Sequence, residues 1–236
     1  MLGNYVNTIA IIIGSLVGLL FHRGLKEKYK TIVMQAIGLA VLFIGTTTAL
    51  GGLLDPESEP ILFIISLAVG GLVGELIGVE RGLERLGMFL QKRFGSAENN
   101  VSSGFVTASL IFCVGTMAII GSLESGLRSN HDMLFAKSVL DGITSIILAS
   151  SLGFGVIFSA VAVFVYQGAI VLFAGMIEPY LTVNVIREIS IIGGILIFGI
   201  GLNLLDLIKI RTANLLPAIL IPVFYYFIII PFGKFF

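Results

Sequence analysis

Lys137 and Asp141 stand one helical turn apart within LFAKSVLDGITS, residues 134–145, with Thr144 and Ser145 just beyond. The surrounding run is apolar, so the two charges need a physical reason. A Lys four residues before an Asp is the weaker order for an i,i+4 pair, and stabilisation of the local helix is a poor explanation. Lys137 lies about one turn from the outer end of its run, where a long side chain can snorkel to the interface. Asp141 lies about 6 Å deeper, and its short side chain cannot follow. It must pair, protonate or face water. A buried ion pair gains little net stability after desolvation, so the spacing predicts a polar cavity faced by Lys137, Asp141 and Thr144. The competing reading is a structural ion pair between helices.

Other polar residues fall inside apolar runs. Glu75 interrupts the stretch GGLVGEL near the cytoplasmic end of its run, as a site residue or as an interfacial acid paired with Arg81 or Arg85. Gln167 sits mid-run and needs a hydrogen-bond partner within a bundle. Asn7, Gln35, Thr107, Ser109, Thr116, Ser145 and Asn203 add neutral oxygens and amides. Such ligands suit hard cations or small polar solutes better than soft metals, though no particular metal is indicated. Cys113 is the single cysteine, which excludes an intramolecular disulfide or a thiolate cluster. His22 and His131 belong to no catalytic spacing, and no phosphate-binding loop is present. Neither enzymatic activity, nor ATP hydrolysis by this chain, nor a cofactor is expected.

The elements that must position these residues are membrane helices. Of 236 residues 57% are hydrophobic and 12% charged, about half the charge of a soluble domain. The lipid bilayer is therefore the expected solvent. The formal net charge of zero points to no nucleic-acid partner. Eight apolar runs are long enough to span, at 5–21, 32–50, 60–79, 104–122, 134–150, 156–176, 188–205 and 213–232. The fifth and sixth are divided only by Ser150-Ser151-Leu152-Gly153, and the count falls to seven if they form one re-entrant element. Basic loops carry Arg23, Lys26, Lys28 and Lys30, then Arg81, Arg85, Lys92 and Arg93, then Lys209 and Arg211. The loop at 51–60 is acidic, with Asp55, Glu57 and Glu59. With eight spans the basic loops share the cytoplasmic side, and both termini lie outside. Pro217 and Pro222 should kink the last span.

The expected fold class is thus all-α, a single polytopic helical bundle over 1–236. Gly14 and Gly18, and again Gly70, Gly74, Gly78 and Gly82, recur at four-residue spacing, which lets helix backbones approach closely. Tyr5-Val6 matches Phe105-Val106, and TALG at 48–51 matches SSLG at 150–153. These matches suggest inverted repeats over 1–95 and 101–180, followed by two further helices over 187–236. A homodimer is the expected assembly.

The stretches GNYVNTIAIIIGSLVGLL, GGLVGELIGVE and AKSVLDGITS together resemble the bacterial integral membrane proteins called domain of unknown function 554. The resemblance covers nearly the whole chain. It implies a multi-pass protein of the bacterial inner membrane, of a kind labelled as candidate transporters, with no assigned substrate. Asp141 to Ser145 is also similar to segments of small exporters of the lysine-exporter type, without their paired acidic motifs. The functional expectation is a transporter or channel for a small ion or polar solute, not driven by ATP. The alternative is a membrane-embedded scaffold with a closed polar network. A water-filled vestibule reaching Asp141 favours the first, and a dry, fully paired contact the second.

Overall fold

The computed structural model describes residues 1–22, 27–94, 101–113 and 116–229, and every regular element among them is helical. In chain order these are α1 (Leu2–His22), α2 (Glu27–Leu53), α3 (Pro60–Ile77), α4 (Val79–Phe94), α5 (Val101–Cys113), α6 (Thr116–Leu127), α7 (Asp132–Leu152), α8 (Gly155–Leu172), the short α9 (Ala174–Ile177) and α10 (Val183–Leu204). A C-terminal rod then runs through a 3-10 stretch (Thr212–Leu220), α11 (Ile221–Phe224) and a π turn (Tyr225–Ile229). The loop cations Arg23 and Lys26, with the side chains of His22, Lys30, Arg93 and Thr116, lie outside the described residues.

Among the described residues six helices are long and apolar enough to cross a membrane: α1, α2, α3, α7, α8 and α10. The polytopic all-α expectation therefore holds, while two of the eight runs take different forms. The run at 104–122 is not one helix, because the axes of α5 and α6 differ by 61°. The run at 213–232 is irregular, since Pro217 removes an amide donor inside the 3-10 stretch and Pro222 opens α11. The fifth and sixth runs are two full helices. The chain reverses at Gly153, whose φ of 77° is the left-handed region that favours glycine.

Small residues set the helix pairs. Along α1, a Cβ at Gly14 would strike the Gly142 carbonyl and the Ser145 hydroxyl of α7, and one at Gly18 would strike the Ile146 carbonyl. Gly45 of α2 faces Gly194 and Phe198 of α10, a seam that the glycine spacing in the sequence does not announce. Gly70 and Gly74 of α3 meet the backbone of Ala218 and Asn214 in the rod. Two expected packing positions need correction. Gly78 is the left-handed C-cap of α3, with φ 72°, and Gly82 lies in α4 with open space beside it. The four-glycine face therefore ends where α3 ends.

These seams sort the connections into two ends. At one end Gly104 approaches Leu152, Gly38 approaches Leu205, and the Glu80 amide donates to Asn214 Oδ1 at 2.8 Å. At the other, Gly3 packs on Leu134, Gly126 on Ala174 and Gly52 on Ile191. The C-terminal ends of α1, α3 and α10 share the first end, and the acidic loop before α3 lies at the second.

Candidate functional site

Asn4 and Asn7 lie on one face of α1, since residues three apart on a helix are neighbours. That face meets α7 and α8. Asn7 Nδ2 donates to Asp141 Oδ2 at 3.0 Å and to Gln167 Oε1 at 3.2 Å. Lys137 Nζ donates to the same Asp141 oxygen at 2.6 Å. Asn4 Nδ2 donates to the Phe164 carbonyl of α8 at 3.0 Å. Asn4, Asn7 and Gln167 are fully buried, and Lys137 and Asp141 are 6% exposed. Three helices thus converge on one polar cluster in the apolar interior.

Its hydrogen bonding is incomplete. Asn4 Oδ1, Asn7 Oδ1 and Gln167 Nε2 are buried without partners. In hydrocarbon an unsatisfied polar group costs several kcal/mol, of order 2–7 in transfer terms. The Cys113 thiol, at the end of α5 where the 61° bend falls, lies within electrostatic reach of Lys137 and Asp141.

The expectations for this cluster divide. Asn7, Lys137, Asp141 and Gln167 are brought together in one cluster. The expected form of the charged pair is corrected, because Lys137 does not snorkel but bonds directly to Asp141 within α7. Neither residue lines the three cavities described below. Ser145 donates to its own helix at Gly142 O, 2.8 Å, and serves the α1 seam. Thr144 is half-buried beside it, and Gln35 is exposed on α2, remote from any role in the cluster. Glu75 also lies elsewhere. It is half-exposed at the basic end, accepting from Arg211 Nη1 at 2.8 Å and Asn214 Nδ2 at 2.7 Å. Its carboxylate partner is Arg211 of the rod rather than Arg81 or Arg85. The Arg81 guanidinium donates to the Glu75 carbonyl at 3.4 Å.

That basic end holds a second polar region. A cavity of about 390 Å³ is lined by Glu75, Glu80, Arg81, Glu84, Arg211 and Asn214. Glu80 and Glu84 also line a cavity of about 320 Å³ with Ser102, Ser103, Thr107, Asn203 and Thr212. Asn203 is also structural, its amide bonding both the N–H and the carbonyl of Ile210 at 2.7 Å. Val106 and Leu110 then border an apolar cavity of about 560 Å³ that reaches Ser109, Cys113 and Tyr166. The cavities adjoin through shared walls, from the charged rim at Arg211 to Cys113 beside the buried cluster.

Burial, reinforced by the neighbouring Glu84, pushes the Glu80 carboxyl above the ordinary carboxylate range, with Arg211 opposing and Glu75 adding to the rise. An acid raised in the folded state binds its proton more tightly there than in the unfolded chain. Its stabilising contribution is complete below the unfolded carboxylate range and is lost as pH rises through its folded titration. Melting of the detergent-solubilised protein should accordingly fall over that interval, and Glu80→Gln should flatten the fall. An unchanged pH profile in the variant would show that Glu80 ionises freely.

Sequence reading missed Asn4, Glu80, Asn214 and Glu188. The Asn4–Asn7 spacing was the available signal for the first. For Glu188, the signal was Thr182, whose hydroxyl caps α10 by accepting from the Val185 amide at 3.4 Å. That cap starts the helix five residues before the expected run and moves Glu188 from the first position of that run to the interior of the helix.

Two relatives align along nearly the whole chain. An uncharacterised membrane protein of Bacillus subtilis (strain 168), YdfK, is 42% identical over 234 residues, covering 99% of each chain. An uncharacterised protein of Escherichia coli (strain K12), YqgA, is 26% identical over 226 residues, covering 94% of each. No solved structure matches. The family model described as protein of unknown function (DUF554) matches residues 2–227, and the chain, a multi-pass helical membrane protein, belongs to that family.

Proposed function

We propose that the protein is a carrier or channel for a small ion or polar solute, caught closed, with Asn7, Lys137, Asp141 and Gln167 as its central site. The observation that carries this reading is the set of orphaned amide atoms, Asn4 Oδ1, Asn7 Oδ1 and Gln167 Nε2, beside a buried charge pair. Ionisable groups inside a membrane bundle are costly, and where they persist they mark substrate or ion pathways. Two free acceptor oxygens and one free donor offer ligands to a solute or hydrated ion. The bent α5–α6 pair supports the reading, because transporter sites recur at discontinuous helices. The adjoining cavities from Arg211 to Cys113 supply an approach route whose last step is shut.

A second reading has its own support. The Lys137–Asp141 contact is direct and buried, as expected of a membrane-embedded scaffold with a structural polar network. Flux of alkali, alkaline-earth and halide ions and of small amino acids into proteoliposomes decides between them. Transport above protein-free vesicles that Asp141→Asn removes supports the carrier. No flux of any of these would leave the scaffold.

The basic end would face the cytoplasm of a bacterial inner membrane, with both termini outside. An impermeant thiol reagent on intact cells should label Asn130→Cys and spare Glu27→Cys, Cys113 being half-buried in the apolar core. The reverse pattern would invert the topology. Gln35, exposed on α2 among Ile32, Leu39 and Phe43, is a candidate contact for the expected homodimer.

A further inference from the structure

At the acidic end of the bundle, α10 presents Glu188 to the loop that opens α3. Glu188 has no exposed surface. Its Oε1 accepts the Glu59 backbone N–H at 3.0 Å, and its Oε2 is buried with no partner. Glu59 occupies the N-cap position of α3, and its carboxyl accepts from the Tyr226 hydroxyl at 3.3 Å. The charge around it does not balance. Asp55, Glu57, Glu59 and Glu188 cluster about one guanidinium, that of Arg187. Arg187 Nε lies 3.0 Å from Asp55 Oδ2 and its Nη2 lies 3.1 Å from Glu57 Oε2. It also donates to Asn184 and to the Glu57 carbonyl. The fork's ion pairs are therefore with the two outer acids, Asp55 and Glu57.

We infer that Glu188 and Glu59, with the hydroxyl of Tyr226, form a binding site for a hard metal cation of the alkali or alkaline-earth class. An unpaired carboxylate oxygen in a membrane helix needs a positive partner or a proton. Every available ligand is an oxygen, the donor type such cations select. The site has no nitrogen or sulfur ligand to select a transition metal, and with no group of three or more His, Cys, Asp or Glu suited to a metal among the described residues it rests on two carboxylates and a tyrosine hydroxyl. Glu59 is only partly buried, so the site has an entry from the acidic end, while Glu188 forms its closed floor. The site joins α3, α10 and the C-terminal rod. Occupancy would therefore clamp those three elements and register as stability.

The test uses full-length protein in detergent and melting followed by a thiol-reactive dye, for which Cys113 is the single reporter. Sodium, potassium, magnesium or calcium chloride replaces choline chloride at constant ionic strength. At least one metal should raise the melting temperature saturably. Glu188→Gln should raise the half-saturating concentration by about tenfold or more, the scale of one lost charged ligand. Tyr226→Phe, which keeps the packing, should raise it by a smaller factor and serves if Glu188→Gln does not fold. Melting indifferent to the cation would overturn the site, and so would stabilisation by acidification alone, which would mark Glu188 as a proton site. A metal effect that survives both substitutions would place the cation elsewhere.

Discussion

Asp141→Asn alone should lower stability by about 3–5 kcal/mol, the range for breaking one side of a buried pair, and should abolish transport. The expected loss follows from the geometry. Lys137 Nζ and Asn7 Nδ2 both donate to the same carboxylate oxygen. An amide there carries no charge to balance the ammonium, which stays 6% exposed among apolar helices. Adding Lys137→Met removes the stranded charge and replaces it with an apolar chain of similar length. Substitution of both partners can be near neutral, so the double variant should recover most of the melting temperature and the monodisperse yield. It should not recover flux if the carboxylate binds the transported ion or a coupling proton. Thermal melting and liposome flux on the three proteins separate the roles. A double variant that is stable and fully active would refute the central site and turn attention to Glu80 and Glu84.

The sequence leads to this site by a route that is partly wrong. Polar residues are conspicuous in apolar runs, and Asn7, Lys137, Asp141 and Gln167 can be named for that reason alone. What the spacing does not show is that Lys137 turns inward, because that depends on which neighbour covers its face. Here α1 supplies Asn7 opposite Asp141, across 134 residues of chain. Glu75 lies apart from the cluster for a related reason. Its distance from the end of its run suggests depth, but α3 stops at Ile77, and the capping Gly78 puts Glu75 at the rim with Arg211. The break between α5 and α6 is hidden as well, since hydropathy runs unbroken through 104–122 while the backbone bends. The long helices α1, α2, α3, α7 and α8 are legible because length, apolar content and punctuation agree there.

The seam between α3 and the C-terminal rod gives the second large effect. Gly74→Leu should unfold or aggregate the protein, and even Gly74→Ala should be strongly destabilising. A Cβ at Gly74 would collide with the Asn214 carbonyl, a backbone atom that cannot swing aside as a side-chain tip could. The same Asn214 holds Glu75 through Nδ2 and the Glu80 amide through Oδ1. Forcing the rod away would strip the α3–α4 corner of both bonds and open the cavity at the basic end. Overpacking alone typically costs about 1–3 kcal/mol, and two lost hydrogen bonds add about 0.5–1.5 kcal/mol each. Gly82 is the internal control. It lies in α4, two turns beyond Gly74, and a Cβ added there would meet nothing within 4 Å. Gly82→Ala should therefore be harmless or stabilise by up to about 1 kcal/mol through helix propensity. Size-exclusion profiles and melting curves of the three variants measure the contrast. If Gly74→Ala melted with the native protein while Gly82→Ala fell, the seam would lie on the other helix face and the docking of the rod would be wrong.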